Sequence, residues 1–103
     1  MRVALLYFAD CPNWREAGYR LRQALLEIGR PDIEIDYQAV ETDVEAAAAG
    51  FAGSPTFHVD GADLFDTPAA GTLACRIYAT GDGLSGVPDV AALTTALRKH
   101  VGS

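Results

Sequence analysis

Val3-Ala4-Leu5-Leu6-Tyr7-Phe8-Ala9-Asp10-Cys11-Pro12-Asn13-Trp14 is the stretch on which the fold turns. Residues Val3 to Phe8 are continuously apolar, as in a strand buried on both faces. Asp10-Cys11-Pro12-Asn13 then reads as a helix start. Pro12 suits the first helical position, where no amide hydrogen is needed, and this places Cys11 at the N-cap. Trp14, Ala17, Leu21, Ala24, Leu25 and Ile28 follow on one face at helical spacing. Glu16 and Arg20 can pair one turn apart on the other face. Gly29 and Pro31 end the helix.

Downstream, Ile33, Ile35, Tyr37 and Ala39 alternate with Glu34, Asp36 and Gln38, the pattern of an exposed edge strand. A strand, helix, strand run of this length is a parallel crossover. Thr42-Asp43-Val44-Glu45 is a capping box. It opens a short helix expected to turn Val44, Ala47, Ala48 and Phe51 inward. Gly53-Ser54-Pro55 precedes a third strand, Thr56 to Val59. Asp60-Gly61 is a two-residue hairpin turn, with a return strand over Ala62 to Phe65. Asp66 to Val87 reads as a long irregular stretch carrying Cys75-Arg76-Ile77-Tyr78. Loops of that length in a small domain are usually functional or mobile. Asp89 starts a last helix with Val90, Leu93, Leu97 and Val101 inward, and with Arg98, Lys99 and His100 in its final turn.

The 103 residues suit one domain with one core, residues 1–103. Net charge is −6, spread along the chain, and no Lys or Arg run exists to track a phosphate backbone. Nucleic acid is therefore not an expected partner. The longest apolar run is far too short for a bilayer, and no secretory signal pattern opens the chain. No membrane partner and a cytoplasmic location are expected. Cys11 and Cys75 are the two cysteines, too few for a disulfide framework. No C-x-x-C is present, and no Cys/His cluster has zinc-site spacing. No resident metal or cofactor is expected. His58 and His100 read as structural. Asp60, Asp63 and Asp66 read as turn and surface residues around a hairpin.

The order strand, helix, strand, helix, strand, strand, helix, with a cysteine just after the first strand and Ser54-Pro55 before the third, resembles the thioredoxin and glutaredoxin family. The resemblance implies a thioredoxin-like α/β domain: a four-stranded mixed sheet in order 2-1-3-4 flanked by helices. It also implies that Cys11 is the active-site cysteine, and that Pro55 is a cis-proline facing it. In that family an extended substrate pairs with the backbone beside this proline. The family's redox motif is C-x-x-C. Here it reads Cys11-Pro12-Asn13-Trp14, so a dithiol exchange within the motif is impossible. More narrowly, Tyr7-Phe8-x-x-Cys11-Pro12-Asn13-Trp14, Gly53-Ser54-Pro55-Thr56 and Cys75-Arg76-Ile77-Tyr78 followed by Gly83-Leu84 are similar to small bacterial thioredoxin-like proteins. Some of these carry an alkylmercury-lyase-like label, which points to thiol or soft-metal chemistry. The established organomercurial lyases have additional sequence that this chain lacks.

A thiolate at a helix N-terminus is stabilised by unpaired amides and the helix dipole. Asp10 opposes this charge where it points the same way, and Arg15, one turn on, can compensate, so the sequence leaves the sign of the sum open. The hairpin at Asp60-Gly61 brings the chain back to the edge that carries Cys11, so the loop holding Cys75 begins on the Cys11 side. The expected site is therefore Cys11 as nucleophile and Cys75 as its resolving partner. Pro55, Ser54, Trp14 and Arg76 line it, with Trp14 as a wall or plain core, and with Arg76 either orienting an anion or thiolate or, more commonly for such a residue, in a surface salt bridge. The leading function is thiol-dependent redox or thiol-transfer chemistry on a protein or small-molecule thiol or disulfide. Two other readings stand beside it. One is a soft-metal module holding mercury or copper between two thiolates. The other is a non-catalytic interaction domain, a homodimer included, in which Cys11→Ser leaves every activity intact.

Overall fold

The computed structural model describes residues 1–65, 76–80 and 83–102. The elements run β1 (Val3–Tyr7), α1 (Trp14–Glu27), β2 (Ile35–Ala39), α2 (Asp43–Ala49), β3 (Thr56–Val59), β4 (Ala62–Asp63), β5 (Tyr78–Thr80), β6 (Gly83–Ser85) and α3 (Val90–Gly102). β1 to β4 form a mixed sheet in the order β2-β1-β3-β4. β1 runs parallel to β2 and antiparallel to β3, and β3 runs antiparallel to β4. This is the α/β architecture and strand order expected for a thioredoxin-like domain.

The continuous apolar run of β1 has the expected cause, since the strand is central and covered on both faces. Val3 and Leu5 lie opposite Val59 and Phe57 of β3. With Leu21 and Leu25 of α1 and Leu93 and Leu97 of α3 they form the larger core. On the other face Leu6 packs with Val40, Ala46 and Phe51. Each large side chain buried here contributes about 1.5–3 kcal/mol relative to exposure. His58 is buried in β3.

The helix ends follow their local chemistry. The Glu16–Arg20 pair forms at 2.9 Å. Gly29 takes φ +76°; its N–H bonds to the Leu26 carbonyl and that of Arg30 to the Leu25 carbonyl, a closed Schellman ending. Thr42 Oγ1 accepts from the Glu45 N–H at 3.1 Å, and Asp89 Oδ1 accepts from the Ala92 N–H at 2.8 Å.

Four expectations need correction. Cys11 is not the cap of α1: Asn13 holds that place with no side-chain cap bond, and the Cys11 N–H instead closes a turn onto the Phe8 carbonyl at 2.9 Å. In α2 the inward residue is Ala46, followed by Phe51, while Val44, Ala47 and Ala48 face solvent. The bulk of Phe51 sets the phase of a helix whose alanines carry no periodic signal. The return strand is only Ala62–Asp63. Part of the expected irregular stretch is a two-stranded sheet, with Tyr78 opposite Ser85 and Thr80 opposite Gly83. Among the described residues, no helix is long and apolar enough to cross a membrane.

Candidate functional site

Cys11 sits just beyond the C-terminal end of β1, in the turn that leads to α1, and is 1% exposed. Its sulfur is in a disulfide. The chain's other cysteine, Cys75, lies outside the described residues.

Ser54 ties the site together. It is fully buried, and its peptide bond to Pro55 is cis, as the resemblance implied. Ser54 Oγ accepts from the Phe8 N–H at 2.9 Å, anchoring the start of the Cys11 turn. The Ser54 carbonyl oxygen lies 3.8 Å from Cys11 Sγ. A disulfide sulfur has no proton to donate, so this is a contact and not a hydrogen bond. The same carbonyl accepts from the Arg76 N–H at 2.9 Å. The backbone on which an extended substrate is expected to pair is therefore engaged by the chain's own segment.

Gly53 makes that close approach geometrically feasible. Its φ is +110°, and a Cβ there would lie 2.8 Å from Arg76 Cβ and 3.2 Å from the Arg76 Cα and N. Thr56 Oγ1 donates to the Gly53 carbonyl and accepts from the Ala52 N–H, which fixes the loop from within.

Arg76 does not point to an open anion site. It is 7% exposed, and its guanidinium donates to Asp63 Oδ2 at 2.8 Å and Oδ1 at 3.3 Å. The guanidinium carbon lies 4.7 Å from the Tyr78 ring centre. Asp63 is accordingly no surface residue. It is half of a buried bidentate pair, and its Oδ1 also accepts from the Phe65 N–H at 2.8 Å. Trp14 stacks on Tyr7 with ring centres 4.2 Å apart, and the Arg15 guanidinium lies 4.8 Å over the Trp14 ring. Arg15 thus covers an aromatic ring.

Tyr78 packs edge-on against Phe57 and Phe65, and its hydroxyl donates to the Pro55 carbonyl. Burial pushes its phenol well above the ordinary range, against a weaker opposing pull from Arg76. Because the unfolded chain ionises first, this stabilisation is complete below about pH 10 and is lost as pH climbs from there toward the folded value. Tyr78→Phe removes the donor to a buried carbonyl and costs roughly 1–3 kcal/mol at neutral pH. Urea unfolding across the alkaline range checks both effects: the wild type loses stability more steeply above about pH 10 than the variant.

The structure thus brings Cys11, Ser54, Pro55 and Arg76 together, and sets Trp14 against β1. Asp63, Gly53 and Tyr78 complete the set. Sequence reasoning missed Asp63 because one acid two residues past a turn looks like any surface acid. Two shallow surface depressions, one between α1 and β2 and one at the N-terminal end of β1, are not lined by Cys11, Ser54, Pro55 or Arg76. Among the described residues, no group of three or more His, Cys, Asp or Glu could hold a metal ion. Comparison with protein-family models, curated proteins and solved structures finds no match for the chain.

Proposed function

We propose that the protein is a cytoplasmic thioredoxin-like thiol-disulfide exchange protein in which Cys11 and Cys75 form one redox pair. The observation that carries this reading is the disulfide at Cys11, next to the cis Ser54–Pro55 bond at the C-terminal end of the central strand. If the chain works in the cytosol, where disulfides are usually transient and catalytic or redox-sensing, an oxidised Cys11 favours turnover over a structural staple.

In the forward direction the Cys11 thiolate attacks one sulfur of a substrate disulfide. A mixed disulfide forms and the first substrate thiol leaves, taking a proton. The Cys75 thiolate then attacks Cys11 Sγ, closing the internal disulfide and releasing the second substrate thiol. A dithiol reductant returns the pair to two thiols and is itself oxidised to a disulfide. Ser54 offers its carbonyl to the Cys11 thiol proton in the reduced protein, and Pro55 guides the substrate backbone.

The test is dithiothreitol-driven reduction of insulin and of a small dialkyl disulfide, with and without the protein. Acceleration of either, lost in Cys11→Ser, is the expected result. No acceleration of either substrate contradicts the reading.

A further inference from the structure

Arg76 follows Cys75 directly in the chain. We infer that Arg76 and Asp63 are positioning residues that hold the chain beside Cys75 against Ser54, and so beside Cys11, whether the disulfide is closed or open. This rests on the pairing of Cys11 with Cys75 proposed above.

A backbone contact and a side-chain contact hold the segment. The Arg76 N–H bonds to the Ser54 carbonyl at 2.9 Å, the same oxygen that lies 3.8 Å from Cys11 Sγ. The Arg76 side chain makes the bidentate pair with Asp63 at 2.8 and 3.3 Å. Neither contact uses a sulfur atom, so neither depends on the S–S bond. Both ends of the tether are themselves anchored. Asp63 pairs with His58 in the β3–β4 ladder and accepts from the Phe65 N–H, while Ser54 is held by the Phe8 N–H. Gly53 lets the two backbones meet, since a Cβ there would lie 2.8 Å from Arg76 Cβ.

A tether of this kind acts through effective concentration. Thiols that stay adjacent after reduction re-form their disulfide more favourably than thiols on a loosened segment. Reduction by dithiothreitol breaks the S–S bond, delivers two electrons and two protons to the cysteines, and closes the reductant's own ring disulfide. The equilibrium constant of that exchange reads the tether directly, and a residue that only stabilised the fold would leave it unmoved in a folded variant.

The experiment equilibrates the full chain with mixtures of reduced and oxidised dithiothreitol, quenches with acid, alkylates, and counts labels by intact mass. In Arg76→Ala the constant for closing the internal disulfide falls roughly tenfold, equivalent to about 30 mV toward easier reduction. Circular dichroism checks folding. Should Arg76→Ala fail to fold, Asp63→Asn with Arg76→Met removes both charges while keeping an acceptor for the Phe65 N–H, and the same fall is expected. Gly53→Ala, which pushes the Arg76 backbone away, shifts the constant in the same direction. Folded variants whose constant matches the wild type within about twofold overturn the inference and leave the pairing intact. A wild type that forms no internal disulfide overturns the pairing and the inference together.

Discussion

Cys11→Ser lowers the free energy of unfolding of the oxidised protein by roughly 4 kcal/mol in the chain-entropy account of a cross-link. The proposed Cys11–Cys75 bond closes a loop of 63 intervening residues. Cross-linking positions so far apart removes many conformations from the unfolded chain and few from the folded one. The loss is large against the roughly 5–15 kcal/mol that stabilises a typical domain. Urea unfolding of oxidised wild type, reduced wild type and Cys11→Ser checks it. The last two curves fall together and well below the first. Superimposable curves for all three would remove the cross-link from the account.

Asp63→Ala is expected to cost about 3–5 kcal/mol, the penalty for removing one partner of a buried ion pair. The two side chains are 11% and 6% exposed, so water cannot replace the lost carboxylate around Arg76. The Phe65 N–H loses its acceptor at the same time. The charge origin of the effect is separated by Asp63→Leu with Arg76→Met, which takes both charges away. That double variant is near neutral or more stable than the wild type, because its apolar side chains need no desolvated partner. Thermal or urea unfolding of the single and double variants checks the pair. A single variant within about 1 kcal/mol of wild type would mean that the pair is effectively solvated.

The parts of the fold visible in the sequence were those where one physical rule dominated. Six apolar residues from Val3 to Phe8 fit only a central strand, the alternation around Ile35 and Tyr37 fits only an edge, and Asp60-Gly61 fits only a tight turn. Asp60 and Gly61 take φ of +53° and +87°, the conformation that such a turn requires. The parts that were hidden depended on partners distant in the chain. The facing of α2 is fixed by the cluster that Ala46 and Phe51 form with Leu6 of β1 and Val40, since a run of alanines has no side of its own. β5 and β6 are three residues each, too short for periodicity to register. At the site, Cys11, Ser54 and Pro55 were legible from position and type. For Arg76 a salt bridge was legible, but its partner and its burial were not, because Asp63 stands thirteen positions away.

The central claim is that Cys11 and Cys75 are one reversible redox pair within a single chain. Intact-mass analysis after alkylation, with and without a dithiol reductant, tests it most directly. The account predicts a monomeric chain that takes no label when oxidised and is lighter by two hydrogen atoms. After reduction it takes two labels, and it returns to the unlabelled state when reoxidised. Two labels without reductant after exposure to oxidised dithiothreitol, or a disulfide joining Cys11 to a second chain, would contradict it.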